Sequence, residues 1–294
     1  MRVFALSCLC FLPLLAQAET VIVATYNVLN YLVMDRSVEG RWREDYPKPE
    51  VEKTALREVI REMDADVLAV QEIGGPDFLE QLQADLKAEG LDYPYSAVLL
   101  GPDEVRRIGV LSRIPFEQTY SHDQLGFKLD GELEYVRRGA LEVVFETNSV
   151  RWSLFNVHLK SRWTIRDDDP KATKQRTLEA QEVRDLIREK YPNAQRENYL
   201  VVGDFNDTRE SAALRRFLKV GGRELSVMLD AFDSRGESWT FHYRKRDIYE
   251  RVDFILASPG MLRHVVEGSG RVIDLVPATL EASDHRPVMV ELSF

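Results

Sequence analysis

The chain has 294 residues, a formal net charge of -10 and two cysteines. That length allows one large domain with a substantial core or two small ones. The acidic balance excludes general electrostatic attraction to polyanions, so a nucleic-acid partner would require a local basic patch or metal ions. Cys8 and Cys10 both lie near the N-terminus, which removes disulfide and thiolate chemistry from the rest of the chain.

Residues 1–18 predict a cleavable export signal. Arg2 gives a short basic start, an apolar run covers residues 3–15, and Ala16-Gln17-Ala18 supplies the small-x-small cleavage pattern. The run is too short to cross about 30 Å of hydrocarbon at ~1.5 Å per residue. We therefore expect the mature chain to begin at Glu19 and to be secreted or periplasmic.

Short apolar runs rich in β-branched residues predict strands. They cover residues 21–26, 67–70, 108–111, 141–145, 152–157, 200–202, 252–256 and 288–292. Apolar residues at three- and four-residue spacing predict helices, which cover residues 50–63, 76–88 and 172–191. Several strands follow one another with only turns between them, which favours an α/β four-layer sandwich of two packed mixed β-sheets flanked by helices. No linker or repeat marks a boundary, so we predict a single domain over residues 19–294.

Polar side chains recur where these strands end. They are Asn27, Glu72, His158, Asp204, Asn206, Asp253, Asp284 and His285. Strand ends are where ligands collect in layered α/β folds, because side chains from distant parts of the chain converge there. The sequence therefore predicts one polar site built from all of these segments.

Some of these residues have a second interpretation. Asn27 could cap a turn, and His158, between two apolar neighbours, could be a hydrogen-bonded core histidine. Glu72 follows an apolar run and requires a partner, which favours a metal ligand. In the segment GDFND, Asp204 and Asn206 point to the same side of an extended chain, whereas Asp207 is expected to cap a helix beginning near Glu210.

Carboxylates and amides without cysteine suit a hard cation, Mg²⁺ or alternatively Mn²⁺, better than structural zinc. With two histidines added, the set meets the needs of phosphate-ester hydrolysis. A metal neutralises phosphoryl charge, a carboxylate or imidazole orients water, and amide and imidazole donors hold the developing negative charge.

The ordered motifs NVLNYL, VLAVQE, RRGALEV, NVHLKS, GDFND, RVDFIL and SDHRPV resemble the endonuclease/exonuclease/phosphatase superfamily, and most of all its secreted bacterial nucleases. The resemblance runs from Val21 to the C-terminus. It implies divalent-metal-dependent cleavage of a phosphoester on a fold of two packed sheets flanked by helices.

The resemblance also implies roles for the metal-side residues. Glu72 would be the principal Mg²⁺ ligand, with Asn27 and Asp284 close to the metal or to a second metal position. Asp204 would orient or deprotonate the attacking water. Asn206 would bind the scissile phosphate.

The other implied roles lie on the phosphate side. His285 would contact a phosphate oxygen or transfer a proton, held in orientation by Asp253, with His158 opposite it across the phosphate. Arg138 would contact the phosphate, with its neighbour Arg137 as the alternative. Relatives support the first histidine with a glutamate where this chain has Arg106, so the partner of His158 stays open.

Two basic loops that carry aromatic residues bear on the substrate. Residues 158–163 and 243–246 would form a groove for a nucleic-acid backbone, with Lys160 at the phosphate, although solvated surface charge is the alternative. No segment stands out as an apolar loop for a lipid surface, although Phe116 and Phe127 lie in loops whose placement the sequence does not define. We therefore expect a monomeric Mg²⁺-dependent nuclease acting on DNA, without a stable protein partner.

Two alternatives to the nuclease remain. The same superfamily contains sphingomyelinase-like and small-molecule phosphoesterases, and the fold alone does not choose among them. A non-catalytic binding protein is disfavoured, because it predicts loss of site residues and all of them are present.

Overall fold

The computed structural model describes residues 19–294. The strands of this part are, in chain order, β1 (Thr20–Tyr31), β2 (Met34–Val38), β3 (Arg41–Tyr46), β4 (Val67–Ile73), β5 (Tyr95–Leu99), β6 (Arg107–Ser112), β7 (Gln118–His122), β8 (Gly126–Leu129), β9 (Glu132–Tyr135), β10 (Ala140–Thr147), β11 (Val150–His158), β12 (Tyr199–Asp204), β13 (Lys219–Val220), β14 (Arg223–Glu224), β15 (Val227–Met228), β16 (Phe241–Tyr243), β17 (Ile248–Glu250), β18 (Asp253–Ala257), β19 (Arg271–Val272) and β20 (Val288–Ser293). The helices are α1 (Glu50–Met63), α2 (Pro76–Ala88), α3 (Thr173–Lys190), α4 (Ala212–Leu218) and α5 (Ala278–Ala282), with a 3₁₀-helix at Met261–His264.

Two six-stranded sheets form the centre of the fold. Their strand orders are β19-β20-β1-β4-β6-β5 and β15-β18-β12-β11-β10-β7. Each sheet contains one parallel pair, β1 with β4 and β11 with β12, among antiparallel neighbours. Both sheets are therefore mixed, as predicted.

The alternation of side chains along β1 shows how the layers stack. Val21 and Val23 belong to the core cluster that lies between the two sheets, whereas Ala24 and Tyr26 belong to the cluster shared with α1 and α2. Successive strand residues point to opposite faces, so a strand covered on both sides is apolar at almost every position.

The second sheet is covered in the same way. One of its faces contributes Leu154 and Val202 to the core between the sheets, and the other packs Phe155 and Val201 against α3 and α4. The predicted architecture of two packed sheets flanked by helices is confirmed. The prediction of one domain over residues 19–294 stays a prediction, and the predicted signal peptide lies outside the described residues.

Seven of the eight predicted strand runs lie within strands of the structure, and the run 252–256 begins one residue before β18. The three long helices begin and end within two residues of their predicted bounds. The strands that the sequence did not predict are mostly short or exposed. The hairpin of β2 and β3 is an example, because β3 is exposed at every position and has no apolar face to reveal it. Within residues 19–294, no helix combines the length and apolar character that crossing a membrane requires.

The prediction that Asp207 caps a helix is wrong. The helix α4 begins at Ala212, and its N-cap is Ser211, whose hydroxyl accepts a hydrogen bond from Leu214 N at 3.2 Å. Asp207 instead accepts a hydrogen bond from Arg176 Nε at 3.0 Å. The tertiary ion pair with α3 outcompetes the local cap, because Arg176 is almost fully buried and requires a counter-charge.

Replacing Ser211 with alanine is expected to lower the free energy of unfolding by about 1 kcal/mol, because one N–H group of α4 loses its acceptor. Urea unfolding of the purified chain measures this change. Ser37→Ala, at an exposed position of β2, is the matched control and should leave the midpoint of urea unfolding unchanged. A Ser211 variant as stable as this control would contradict the assigned cap.

Candidate active site

Strand register brings three predicted site residues together. Asp204, the last residue of β12, pairs with His158 of β11 on one side and with Asp253 of β18 on the other. Residues paired across neighbouring strands point to the same face. Leu200 and Val202 have the same parity as Asp204 and lie in the core between the sheets, so this face is turned towards the first sheet.

Gly203 allows Asp204 to reach this position. Its φ is +138°, and an added Cβ would lie 1.9 Å from the carbonyl oxygen of Val157 on β11. Any side chain here would push β11 and β12 apart. The glycine of the GDFND segment is therefore required by the close approach of the two strands that carry His158 and Asp204.

Asp204 is the centre of the site. Its Oδ2 accepts hydrogen bonds from Asn27 Nδ2 at 3.0 Å and Asn206 Nδ2 at 3.1 Å, and its Oδ1 accepts from Asn206 N at 2.7 Å. Burial raises the pKa of this carboxyl to about 7, although the nearby His285 opposes the rise. A carboxylate whose pKa lies near neutrality can accept a proton from water at physiological pH.

His285 is held from both sides. Its Nδ1 lies 2.8 Å from Asp253 Oδ2, and its Nε2 lies 3.9 Å from Asp204 Oδ2. Burial would lower the pKa of this imidazole, but Asp253 and Asp204 together raise it well above its usual value. The two carboxylates therefore favour the charged form of His285, and Asp253 fixes its orientation.

His158 lies on the other side of Asp204. Its Nε2 is 3.5 Å from Asp204 Oδ2 and 4.0 Å from Glu72 Oε1. Its Nδ1 has no hydrogen-bond partner among the described residues. Burial and the charges of Arg138 and His285 hold the pKa of this imidazole well below its usual value, so His158 is neutral where His285 is charged.

Glu72 reaches the site through a break in its strand. The pairing of β4 with β6 shifts register between Gln71 and Ile73, and Glu72 has a φ of +64°. Regular alternation would turn Glu72 towards the helices with Leu68 and Val70. The bulge instead places its Oε1 near His158, while its Oε2 accepts a hydrogen bond from Asn30 N at 3.0 Å.

Arg106 contacts Asn30 and Glu72. Its Nε donates to Asn30 Oδ1 at 2.7 Å and lies 4.0 Å from Glu72 Oε2. Arg106 therefore supports the Glu72 side of the site. It supplies no carboxylate to His158.

Asp284 provides the test of whether a cation fits here. Its Oδ1 is buried without a hydrogen-bond partner among the described residues, and burial with the negative charge of Glu72 raises its pKa. Two neighbouring carboxylates, one of them with a free buried oxygen, are a donor set that suits a hard divalent cation. The turn that carries Asp284 is fixed to β1, because Ser283 Oγ donates to Asn27 O at 2.9 Å.

A second group of residues has metal-ligating atoms close together. One ligand atom each from Asp204, Asp253 and His285 lie within 4.8 Å of one another. Here His285 Nδ1 contacts Asp253 Oδ2 and Asp204 accepts bonds from two asparagines, whereas Asp253 Oδ1 is buried without a hydrogen-bond partner among the described residues. The assignment of Asn27, Glu72 and Asp284 as metal ligands stays a prediction, and the structure brings all three to the same site.

The family model described as Endonuclease/Exonuclease/phosphatase family matches residues 24–285. The chain belongs to this family. Family members are divalent-metal-dependent hydrolases of phosphoester bonds, and the match confirms the resemblance seen in the ordered motifs. No curated protein sequence matches the chain at a significant level.

Solved structures of the Endonuclease/Exonuclease/phosphatase family share the fold at low sequence identity. An endonuclease/exonuclease/phosphatase from Bacteroides vulgatus is 20% identical over 93% of this chain and 98% of its own, with a TM-score of 0.64. Sphingomyelinase C from Streptomyces griseocarneus is 18% identical over 93% and 99%, with a TM-score of 0.62. A beta toxin variant from Staphylococcus aureus with bound magnesium ions is 15% identical over 92% and 99%, with a TM-score of 0.64.

The arginine pair of the family's RRG segment shares one carboxylate. Arg138 is buried with its Nε 3.1 Å from Asp103 Oδ2, and the half-exposed Arg137 donates to the same oxygen at 3.2 Å. Arg138 Nη1 is buried and has no hydrogen-bond partner among the described residues. Because its charge lowers the pKa of His158, Arg138 lies close enough to act on the site.

Glu179 on α3 is a site residue that sequence reasoning missed. It is fully buried and accepts hydrogen bonds from the backbone N–H groups of Lys160 at 2.7 Å and Arg137 at 3.3 Å. It therefore joins the loop after His158 to the segment that carries Arg138. The sequence feature that could have revealed Glu179 is a carboxylate on the buried face of α3, between Arg176 and Ala180.

Lys160 was predicted to bind the substrate phosphate, and the structure turns its amine towards the protein. Nζ donates to Ser161 O at 3.0 Å and also to Trp163 O. Burial, with the charges of Arg137 and Arg138, lowers its pKa to about 8. In this arrangement Lys160 fixes its own loop, and a phosphate contact stays a prediction.

Glu179→Leu is expected to lower the free energy of unfolding by about 2–6 kcal/mol, because two backbone N–H groups lose their acceptor at roughly 1–3 kcal/mol each. Glu179→Gln keeps an acceptor oxygen and should lose less than half of that amount. Chemical unfolding of both variants measures the difference. Glu189→Leu, exposed on the same helix, is the control, and equal losses in Glu179→Leu and this control would contradict the role.

Proposed function

We propose that the chain is an exported Mg²⁺-dependent phosphodiesterase that hydrolyses DNA. The observation that carries the proposal is the position of Asp204, whose Oδ2 lies 3.5 Å from His158 Nε2 and 3.9 Å from His285 Nε2. A base and two imidazole groups that can donate hydrogen bonds then face one small volume, which is what cleavage of a phosphodiester by water requires.

Each residue has a distinct role in this proposal. Asp204 accepts the proton of the attacking water. Asn206 Nδ2 donates to Leu159 O at 3.0 Å and Asp204 Oδ2 at 3.1 Å in this structure, and it would exchange one of these bonds for a phosphate oxygen. His285, oriented by Asp253, donates a proton or a hydrogen bond to an oxygen of the phosphate, and His158 contacts it from the opposite side. A bound Mg²⁺, held by Glu72 and Asp284 with Asn27 nearby, would neutralise phosphoryl charge.

Arg138 rather than Arg137 is the proposed phosphate contact. Its buried Nη1 has no hydrogen-bond partner among residues 19–294, whereas Arg137 is half-exposed. A buried donor without a partner is costly, and an oxygen of the bound phosphate would satisfy it.

The loops beside the site favour a nucleic-acid substrate. Arg162 Nη1 lies 2.6 Å from Glu250 Oε2, so the loop after His158 contacts the hairpin of β16 and β17. Lys245 and Arg246 are exposed at the turn of that hairpin, with the exposed Tyr243 just before them, and Trp163 is exposed next to Arg162. Cations and aromatic rings on adjoining loops are what a strand of nucleic acid contacts.

Sphingomyelin-like lipid phosphodiesters are the second candidate substrate. Trp163 is 74% exposed and Ile165 is 85% exposed, and both follow the strand that carries His158. An aromatic and an aliphatic side chain at the tip of one loop can enter a lipid interface. Sphingomyelinase C from Streptomyces griseocarneus shares the fold, which keeps this substrate class in the test.

A substrate panel tests the proposal. The mature chain, from Glu19, is presented with plasmid DNA, RNA, sphingomyelin vesicles and an inositol polyphosphate, each with Mg²⁺ and with chelator. We expect DNA cleavage that chelator abolishes and added Mg²⁺ restores. Intact DNA alongside cleaved lipid would overturn the nuclease, and cleavage that survives the chelator would overturn the metal dependence.

Export has a separate test. The full chain is expressed in a bacterium with a Sec system, and the N-terminal residue of the protein outside the cytoplasm is determined. We expect Glu19. Retention of the uncut chain in the cytoplasm would refute the export proposal and leave the catalytic proposal untouched.

A further inference from the structure

A cavity of about 540 Å³ lies next to the proposed reaction centre. Its lining includes Trp239, His242, Tyr249 and Arg286. The backbone connects it to the site, because His242 N donates to Asp284 O at 2.9 Å and Arg286 directly follows His285. The turn that carries Asp284 and His285 therefore also contributes Arg286 to the wall of this cavity.

Aromatic rings form one wall of the cavity. Tyr249 stacks on His242 with ring centroids 4.2 Å apart and planes 7° apart, and it meets Trp239 edge-on at 4.9 Å. Tyr249 is 48% exposed although two rings hold it in place. An ordered, half-exposed aromatic ring beside a catalytic centre is a platform on which a flat group can stack.

The charged groups around the cavity are mostly paired. The buried Arg286 guanidinium lies 3.8 Å from the Trp239 ring centroid and 3.1 Å from Asp233, and its Nε has no hydrogen-bond partner among the described residues. Arg235 lies 3.4 Å from Glu237, and Asp274 also lines the wall. The wall therefore lacks the free positive charge that a phosphate would need, and it offers donors and acceptors to a neutral ring.

We propose that this cavity binds a nucleobase of the substrate, stacked on the Tyr249 platform. This inference rests on the proposed nuclease function and extends it. The cavity volume falls within the range of small-molecule sites, and its mixture of aromatic faces with a few polar groups is typical of such sites. The carboxylates of Glu237 and Asp274 line the cavity and provide hydrogen-bond acceptors for the base.

Kinetics on two matched substrates test the proposal. One is a thymidine oligonucleotide, and the other has the same backbone with abasic residues at alternate positions. Stacking contributes ~1–3 kcal/mol per base, so Tyr249→Ala should raise KM for the first substrate about 5- to 100-fold more than for the second. Tyr249→Phe, which keeps the ring, should restore the wild-type ratio. Equal losses on both substrates would overturn the proposal.

Calorimetry separates the failure of this inference from the failure of the nuclease. The wild type and the two Tyr249 variants are titrated with deoxyadenosine and, separately, with choline, neither of which carries a phosphate. Binding of deoxyadenosine that is lost in Tyr249→Ala and kept in Tyr249→Phe would support the cavity assignment even if no DNA were cleaved. Binding of choline in preference to deoxyadenosine would overturn it and identify an ammonium headgroup as the occupant.

Discussion

Asp204→Asn is expected to lower the rate of phosphodiester cleavage by about 10²–10⁴-fold, which is the usual contribution of a general base. The amide has nearly the same shape and keeps one acceptor for Asn27 and Asn206, so the strand ends stay in place. What it loses is the ability to take a proton from water. In the wild type, Asn27 and Asn206 hold the buried Asp204 carboxyl in place. In the variant they hold the amide, so no neighbouring carboxylate can take over its position without breaking those bonds.

The measurement is the initial rate of DNA cleavage in Mg²⁺, with circular dichroism to show that the variant is folded. Asp230→Asn is the matched control, since Asp230 is exposed and pairs only with the exposed Arg209. The control should keep the wild-type rate. A folded Asp204 variant that cleaves as fast as the control would remove Asp204 from the proposed mechanism.

Asp253→Asn is the second large effect, with an expected rate loss of about 10²-fold. The 2.8 Å contact with Asp253 orients His285 and stabilises its charged form. The pKa of His285 is raised well above its usual value in the wild type, which favours its protonated form. Without the negative charge of Asp253 this pKa falls. Activity that depends on protonated His285 should therefore be lost at lower pH in the variant than in the wild type.

The pH–rate profile and an NMR titration of the imidazole measure this shift directly. The chain has 5 histidines, so the His285 signal can be assigned by a His285→Gln variant. The free energy of unfolding should depend on pH in the same direction. The stabilisation that Asp253 gives to the histidine is fully present below the unfolded-state pKa and is lost as pH rises through the folded-state pKa. Identical profiles for both proteins would show that Asp253 does not act through His285.

The sequence predicted the layers well because buried strands consist of apolar residues, which can be read directly from the sequence. A strand covered on both faces, such as the one that begins at Thr20, consists almost entirely of apolar residues, and its apolar run is visible without a structure. Exposed strands left no such pattern. Those that pair only with each other, such as β2 and β3, are stabilised by backbone hydrogen bonds that any side chain permits.

The polar residues of the site were visible for a related reason. An acid, an amide or a histidine directly after an apolar strand is costly unless it has a partner, so these residues stood out at the strand ends. Their partners were harder to find. Glu179 lies in a helix far along the chain from Arg137 and Lys160, and the two N–H groups that it accepts are backbone atoms without any sequence signature.

The sequence by itself determined the layered α/β architecture, the strand ends that carry the polar residues and the family to which they belong. Only the tertiary structure decided that Glu72 turns into the site through a bulge, that Asp207 pairs with Arg176 and that an aromatic cavity adjoins His285. Hydrophobic periodicity is a local property of the chain, so the sequence expresses it directly. The direction of one side chain at a bulge, and the choice between a local cap and a distant ion pair, depend on neighbours that only folding brings together.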